Sequence, residues 1–408
     1  MPHDRLEKLL AAQVEDLDRA GPLKGRETVI VGVVPPQGGK GPRYLLQGQG
    51  ERRFLRMNAN AYLGLSFHEA VIAAEEAAVR RYGTGPGAVR FISGTWEPHV
   101  ALEARLAAFH GREAAMIFSS AYATILGVLT PLITKETAVI SDELNHNCII
   151  NAIRMAQPAE KHVYRHLDME ELAQSLKAAS RACRRAIVVT DGIFSMRGDH
   201  APLERVMELA REHDADFPEN VLVVVDDSHG VGAFGATGRG TEEHTACPPV
   251  DVLVATLGKA FGVNGGYVTA GRAVIDYLRE TSPCYIYSNP ITPGEAAAAE
   301  TALDIVDSPE GRALLDHLRA MALRFDAGLN ALGFETIPGE HPVVPLMVRD
   351  TDRTSALVTH LRNHGILATG LNYPVVPRGD EEIRFQISAD HTEADIDEAL
   401  EALRAFPG

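Results

Sequence analysis

From about residue 60 to residue 290 the chain alternates short apolar runs with longer Ala/Leu/Glu/Arg-rich stretches of helical period. Met116–Ser119, Ala138–Ser141, Ala186–Thr190, Val221–Val225, Val252–Ala255 and Gly266–Ala270 predict strands, and several are unbroken Val/Ile rather than alternating. A strand covered on both faces needs such a run. The pattern therefore predicts an α/β fold with a mostly parallel sheet between helical layers. Ahead of it, Leu6, Leu9, Leu10, Val14 and Leu17 recur at helical spacing, and 33–42 reads as a loop. Beyond Pro290 the pattern changes to one or two helices over 296–332, short strands near 343–348, 366–369 and 383–387, and helices near 355–365 and 393–405. The expected division is an N-terminal helix and arm over 1–59, a large domain over 60–290, and a small α+β domain over 291–408.

In a parallel sheet functional groups gather at the carboxyl ends of the strands. Asp142, Asp191, Asp226 and Lys259 each follow an apolar run directly or nearly so. Lys259 stands in Thr256-Leu257-Gly258-Lys259-Ala260-Phe261-Gly262, and Asp226 opens Asp226-Asp227-Ser228-His229-Gly230. An amine that attacks an aldehyde needs a partly apolar setting to lower its pKa. A pyridine ring used as an electron sink needs an anion at its nitrogen. Lys259 with Asp226 and His229 therefore points to pyridoxal phosphate (PLP). His146, after the strand ending at Ser141, is alone an ordinary core or surface histidine; beside these residues it suits stacking on the ring. Ser119-Ser120-Ala121-Tyr122 precedes a helical pattern, where exposed amides and a hydroxyl suit a phosphate, although an N-cap serine has the same signature. Arg384 is on a predicted strand and is a natural grip for a carboxylate, although a surface salt bridge is the commoner fate of an arginine. Gly83–Ala88 contains G-x-G-x-x-A, but no strand precedes it, so a dinucleotide site is not implied.

Composition narrows the field. The 408 residues carry 39 Lys and Arg against 55 Asp and Glu, a net charge of −16, which argues against nucleic acid and anionic membranes as partners. The four cysteines are scattered without a Cys-x-x-Cys pair, so neither a disulfide framework nor a thiolate metal site is expected. No apolar run approaches the ~18 residues of a membrane span and the N-terminus lacks a signal-type core, so the expectation is a cytoplasmic protein.

The pieces resemble, in order, the α-oxoamine synthases, PLP enzymes of fold type I. Asn60-Ala61-Tyr62-Leu63-Gly64-Leu65 is similar to the family's N-x-Y-L-G-L, and Arg90-Phe91-Ile92-Ser93-Gly94-Thr95 with His99 and Leu102-Glu103 to its R-x-I-S-G-T-x-x-x-H-x-x-L-E. Ser141–His146, Asp191–Met196, Asp226–His229 and Thr256–Lys259 follow in register. The resemblance implies that Lys259 binds the cofactor as a Schiff base and serves as the Cα base. It implies that Asp226 pairs with the pyridinium, that His146 stacks on the ring and that His229 touches the ring oxygen. It further assigns Ser120, Ala121, Tyr122 and Thr256 to the phosphate, and Asn60, Ser195 and Arg384 to the amino acid carboxylate. Family members are homodimers with sites at the interface, and Ser288 is implied to reach the partner's phosphate.

Val89–Ile92 and Tyr373–Gly379 resemble the 2-amino-3-ketobutyrate CoA ligase branch of the family. Val89 cannot donate a hydrogen bond to a succinyl carboxylate, so an apolar acyl group is favoured. Arg197 stands where relatives usually carry Asp; it is read as a loop charge, with an anion contact as the alternative. Trp96 is read as a packing or interface residue, with a wall of the acyl pocket as the alternative. The expected reaction joins glycine or another small amino acid to an acyl-CoA or acyl-carrier thioester through a quinonoid, or runs in reverse as thiolysis. The alternatives are condensation with a longer acyl chain, as in the 8-amino-7-oxononanoate synthase branch, a PLP aldolase or lyase acting on β-hydroxy amino acids, and a non-catalytic partner subunit.

Overall fold

The computed structural model describes residues 3–20, 27–373 and 376–407, so Pro374 and Val375 of the resembling stretch lie outside the described residues. Two compact units are present. The large one comprises Asn60–Arg319 with Glu340–Pro342, and the small one takes the described residues of 1–59, 320–339 and 343–408.

The large unit is built on seven strands. They are β1 (Ala114–Phe118), β2 (Thr137–Asp142), β3 (Glu160–Tyr164), β4 (Arg185–Asp191), β5 (Val221–Asp226), β6 (Val252–Thr256) and β7 (Gly266–Ala270). Their order is β1-β7-β6-β5-β4-β2-β3. Five of the predicted strands differ from these only at their ends, Gly266–Ala270 matches its prediction, and β3 is an addition. The β7 strand runs antiparallel to both of its neighbours and every other pair is parallel. Alternate residues of the Val/Ile runs feed opposite faces: Val139, Ile187, Val189, Val224 and Val254 enter one core, and Ile140, Val188, Val223, Val225 and Leu253 the other. Two-sided burial explains why the runs are unbroken, since a polar residue at any position would be buried without a partner. The carboxyl ends of β2, β4, β5 and β6 share one edge with the start of β7, where Gly266 lies opposite Thr256 and Phe118.

The large unit continues past the change of pattern at Pro290. Helix Pro293–Val306 packs on helices Glu69–Tyr82 and Glu97–Phe109, and the unit ends within helix Pro309–Ala331. The small unit holds two four-stranded sheets. In one, Ile30–Val34, Arg43–Leu46 and Arg53–Arg56 are joined by Ile366–Leu367; in the other, Glu335–Thr336, Val343–Met347, Glu382–Gln386 and Thr369–Leu371 pair. Val33 and Val34, read above as loop, close the first of these strands. Buried Arg43 meets Asp395 at 2.6 Å and Asp395 also accepts the Gly41 N–H at 2.8 Å, which ties the N-terminal arm to the C-terminal helix.

Candidate active site

At the carboxyl edge of the large sheet a cleft with about 350 Å³ of empty space, part of it open to solvent, is lined by Tyr122, His146, Ser195, Asp226, His229 and Lys259, among others. The loops after β1, β2, β4, β5 and β6 all contribute to it. Lys259 lies in the bend after β6, half-buried. The bend is held by the Thr256 hydroxyl, which donates to Gly265 O at 3.1 Å and accepts the Gly258 N–H at 3.1 Å. Gly262 N–H closes it on Lys259 O at 3.1 Å, with Gly262 at a φ of 72°.

Asp226 is buried at the end of β5 and its carboxylate is fixed. Ser228 donates to Oδ1 from its N–H at 3.1 Å and its hydroxyl at 2.5 Å, and the Cys148 thiol lies 3.7 Å from Oδ2. Asp227, the next residue, turns away and is fully buried, accepting the Thr241 N–H and hydroxyl at 2.7 Å each. Its carboxylate fills the space beside Gly192, Gly230 and Gly240, where added Cβ atoms would lie 2.0–2.2 Å from it. The turn thus sends one aspartate into the pocket and uses the other as its anchor.

His146 caps helix Asn147–Ala156, its Nδ1 accepting the Cys148 N–H at 3.3 Å. Nδ1 as acceptor leaves the proton of the neutral ring on Nε2. Burial holds the imidazole below its ordinary pKa, against the pull of Asp226 and with help from Lys259. His229 is buried and shares a hydrogen bond of 2.7 Å with the Tyr62 hydroxyl, while its carbonyl is 2.9 Å from His341 Nε2. Burial lowers His341 to about 3, so it is neutral. Ser120 is the N-cap of helix Ala121–Leu132, accepting the Ala123 N–H at 3.1 Å, and Ala121 and Tyr122 line the pocket. Gly266 presses on this turn: a Cβ there would lie 2.3 Å from Ala121 N.

These residues fit PLP. A helix N-terminus is ready for the phosphate, a buried and oriented carboxylate for the ring nitrogen, and an amine for the aldehyde. Among the described residues, Asp191 lines the same pocket and its buried Oδ1 has no hydrogen-bond partner, which leaves it available to a ligand.

A family model for class I and II aminotransferases matches residues 52–403. The chain belongs to that family. Bovine mitochondrial 2-amino-3-ketobutyrate coenzyme A ligase is 39% identical over 400 residues, covering 98% of this chain and 91% of its own. The 8-amino-7-oxononanoate synthase of Geobacter sulfurreducens is 38% identical over 395 residues, covering 97% and 96%. Among solved structures, a serine palmitoyltransferase with PLP as its internal aldimine superposes with a TM-score of 0.85 at 27% identity, covering 98% of each chain. The Sphingomonas wittichii serine palmitoyltransferase gives 0.88 at 26%, covering 99% and 97%. Within the class I and II aminotransferases the chain is an α-oxoamine synthase, an enzyme, with the type I fold of the PLP-dependent transferases.

As an aminotransferase-family chain it builds one of its motifs around a buried charge cluster. Arg90 meets Glu103 in a two-pronged ion pair at 3.0 and 3.1 Å, Arg279 reaches the same carboxylate at 2.8 Å, and Glu103 also accepts the Ile117 N–H at 3.0 Å. That clamp holds β1, which leads into Ser120, so the charges of this motif position rather than react. Trp96 donates to Pro86 O at 3.1 Å and packs edge-on against Tyr82, as a packing residue should. Arg197 donates to Asp199 at 2.8 Å, and Asp199 in turn meets His166, which reaches Asp142 at 3.1 Å.

Not every predicted residue lines the cavity. Thr256 supports the Lys259 bend, Asn60 lies next to the Tyr62–His229 pair as acceptor of a long 3.4 Å bond, and Ser288 stands off the pocket near exposed Tyr287. Arg384 is half-buried on strand Glu382–Gln386 of the small unit, between Pro345 and Thr369 of its neighbours. Residue-type reasoning assigned no role to Tyr62, Cys148, Asp191 or His341. Only Asp191 carried a signal, its position at a strand end.

Proposed function

We propose that this enzyme uses PLP to join glycine or another small amino acid to an acyl-CoA thioester, and in reverse cleaves 2-amino-3-ketobutyrate with CoA. One observation carries the reading: Lys259, Asp226, His146 and His229, from the ends of three separate strands, line one pocket beside the start of helix Ala121–Leu132. Bound there, PLP supplies an aldehyde for an amine and a protonated ring that withdraws electrons from the amino acid's Cα.

Asp226, fixed by Ser228 and Cys148, keeps the proton on the ring nitrogen. His146, neutral and capping its helix, offers a flat face to the ring, and His229, oriented by Tyr62, addresses the ring oxygen. Ser120, Ala121 and Tyr122 hold the phosphate with a hydroxyl and helix-end amides. Lys259 Nζ would anchor the cofactor by its aldehyde and would serve as the base for the amino acid's Cα proton. Ser195, at the pocket wall, and by resemblance Asn60 and Arg384, address the carboxylate. The Cα then bonds to the thioester carbonyl carbon, the C–S bond breaks, and the thiolate leaves with a proton. The chain is further proposed to act as a homodimer, supported by the exposure of Phe91, Ile92 and Tyr287, which are 67%, 67% and 81% accessible.

Purified enzyme with PLP, glycine and acetyl-CoA is expected to release free thiol, and a series of acyl-CoAs of rising length separates the two relatives' chemistries. A rate that peaks at long acyl chains moves the assignment to the 8-amino-7-oxononanoate type. Turnover of a β-hydroxy amino acid without any thioester overturns acyl transfer, and full activity of Lys259→Ala overturns the mechanism.

A further inference from the structure

The pocket contains a second carboxylate that the mechanism above leaves unused. Asp191 ends β4 as Asp226 ends β5, and the two are direct partners in the parallel ladder. Both line the cavity, and both are buried, at 4% and 6% exposure. Their oxygens differ in what they meet. The Asp226 oxygens are served by Ser228 and Cys148. Asp191 Oδ2 accepts the His146 N–H at 3.0 Å, its own N–H donates to Asn145 Oδ1 at 2.9 Å, and its Oδ1 is the orphan.

Two buried carboxylates side by side do not both stay ionised, and the one with fewer donors takes the proton. Asp191 has a single donor. Burial, with the neighbouring Asp226 and Asp142 charges, holds its carboxyl well above the ordinary range, against His146 N–H and the Lys259 ammonium. The Cys148 thiol, also in the pocket, is pushed up by burial and supplies no charge. A protonated Oδ1 turns an orphan acceptor into a donor on a residue that lines the pocket.

We propose that Asp191 is a positioning residue that works as a neutral acid: Oδ2 holds the peptide that launches His146, and Oδ1–H donates to an anionic oxygen of the bound cofactor or of the amino acid substrate. The inference rests on the PLP reading. It differs from the roles of Asp226 and His229 in predicting that charge at 191 is dispensable and the donor is not.

Asparagine tests this directly, because its Oδ1 accepts the His146 N–H while its Nδ2 donates into the pocket. Asp191→Asn is expected to match wild type in PLP affinity, in the pH titration of the cofactor's visible absorbance, and in glycine affinity. Asp191→Ala is expected to lose about tenfold, the worth of a buried hydrogen bond to a charged partner. Loss in the PLP affinity and absorbance titration without substrate identifies a cofactor oxygen; loss confined to glycine affinity identifies the substrate carboxylate. If Asp191→Ala does not fold, Asp191→Asn decides alone, by matching wild type or failing to. The proposal is overturned if Asp191→Asn is as impaired as Asp191→Ala, or if folded Asp191→Ala matches wild type in all three measurements. A wild-type protein that fails to bind PLP sinks the proposed function instead.

Discussion

Gly266 gives the sharpest test of how the sheet shapes the phosphate end of the pocket. It opens β7 at the carboxyl edge, and its Cα faces the backbone of the Ser120–Ala121 turn. In Gly266→Ala the new Cβ would lie 2.3 Å from Ala121 N, 2.4 Å from Ser120 C and 2.5 Å from Ala121 Cα. Nonbonded heavy atoms settle near 3.5 Å, so the turn or the strand must yield by about 1 Å. All three contacts are backbone, and no rotamer change relieves them. The strand is locked in register to β1 and β6, so the turn is the part that moves. Overpacking of this kind costs about 1–3 kcal/mol. Taken from the phosphate's binding energy, that is roughly 5- to 150-fold in PLP affinity. Equilibrium dialysis of apo-protein against PLP reads the loss, with denaturant midpoints of the apo-protein as the measure of stability. Gly271→Ala is the control, since its Cβ meets only Glu113 Oε2 at 3.9 Å and its PLP affinity is expected to match wild type. Gly266→Ala protein that binds PLP as tightly as wild type would refute the argument that this glycine sets the cup.

Glu103→Ala strands the buried Arg90 guanidinium and frees Arg279, so a loss of about 3–5 kcal/mol in urea unfolding is expected; a loss well under that range would mean the clamp is not structural. His166 lies between Asp142 and Asp199. Burial works against its charge, yet the two carboxylates hold it up at about 9, above the ordinary ~6.5 of the unfolded chain. Its contribution, roughly 1–2 kcal/mol after solvent screening, is complete below pH 6.5 and fades as the pH rises through 9. His166→Gln is expected to flatten the stability–pH curve over that window, and an unchanged slope counts against the assignment. Arg197→Ala removes a half-exposed pair worth at most about 1 kcal/mol and is expected to leave the glycine KM unchanged; a large rise in KM would revive the anion-contact reading.

The strands of the large sheet were legible because both of their faces are buried, which prints an unbroken Val/Ile run on the sequence. The same logic explains the one that was missed. Among the described residues Glu160-Lys161-His162-Val163-Tyr164 is an edge strand with one neighbour, so three successive polar residues are tolerated in it and no apolar run forms. The direction of β7 does not show in its composition, since a doubly buried strand reads alike either way. Its connection does show it: the nine residues 257–265 are too few for the dozen or more that a parallel crossover needs. The small unit was the least legible, because its first sheet joins residues 30–56 to 366–367 and pairing across such a distance leaves no local pattern.

In the active site, legibility followed what each residue needs from its neighbours. Lys259 and Asp226 could be read as chemistry because a strand end and a residue type were enough to suggest a role. Asp191 had the same strand-end position, but its meaning depends on lying beside Asp226, and that depends on strand order. Strand order is absent from a linear pattern: β4 and β5 are neighbours while β1 and β2 are not. Cys148 and His341 depend on packing still more, since one is a buried thiol two residues from His146 and the other a lone histidine over a hundred residues from the carbonyl it meets. A residue that reacts announces itself by type and place, whereas a residue that orients another is defined by a distance. The Asp191–Asp226 ladder contact is where the two kinds meet, which is why substitutions that separate charge from hydrogen bonding at 191 probe the pocket more finely than removal of Lys259.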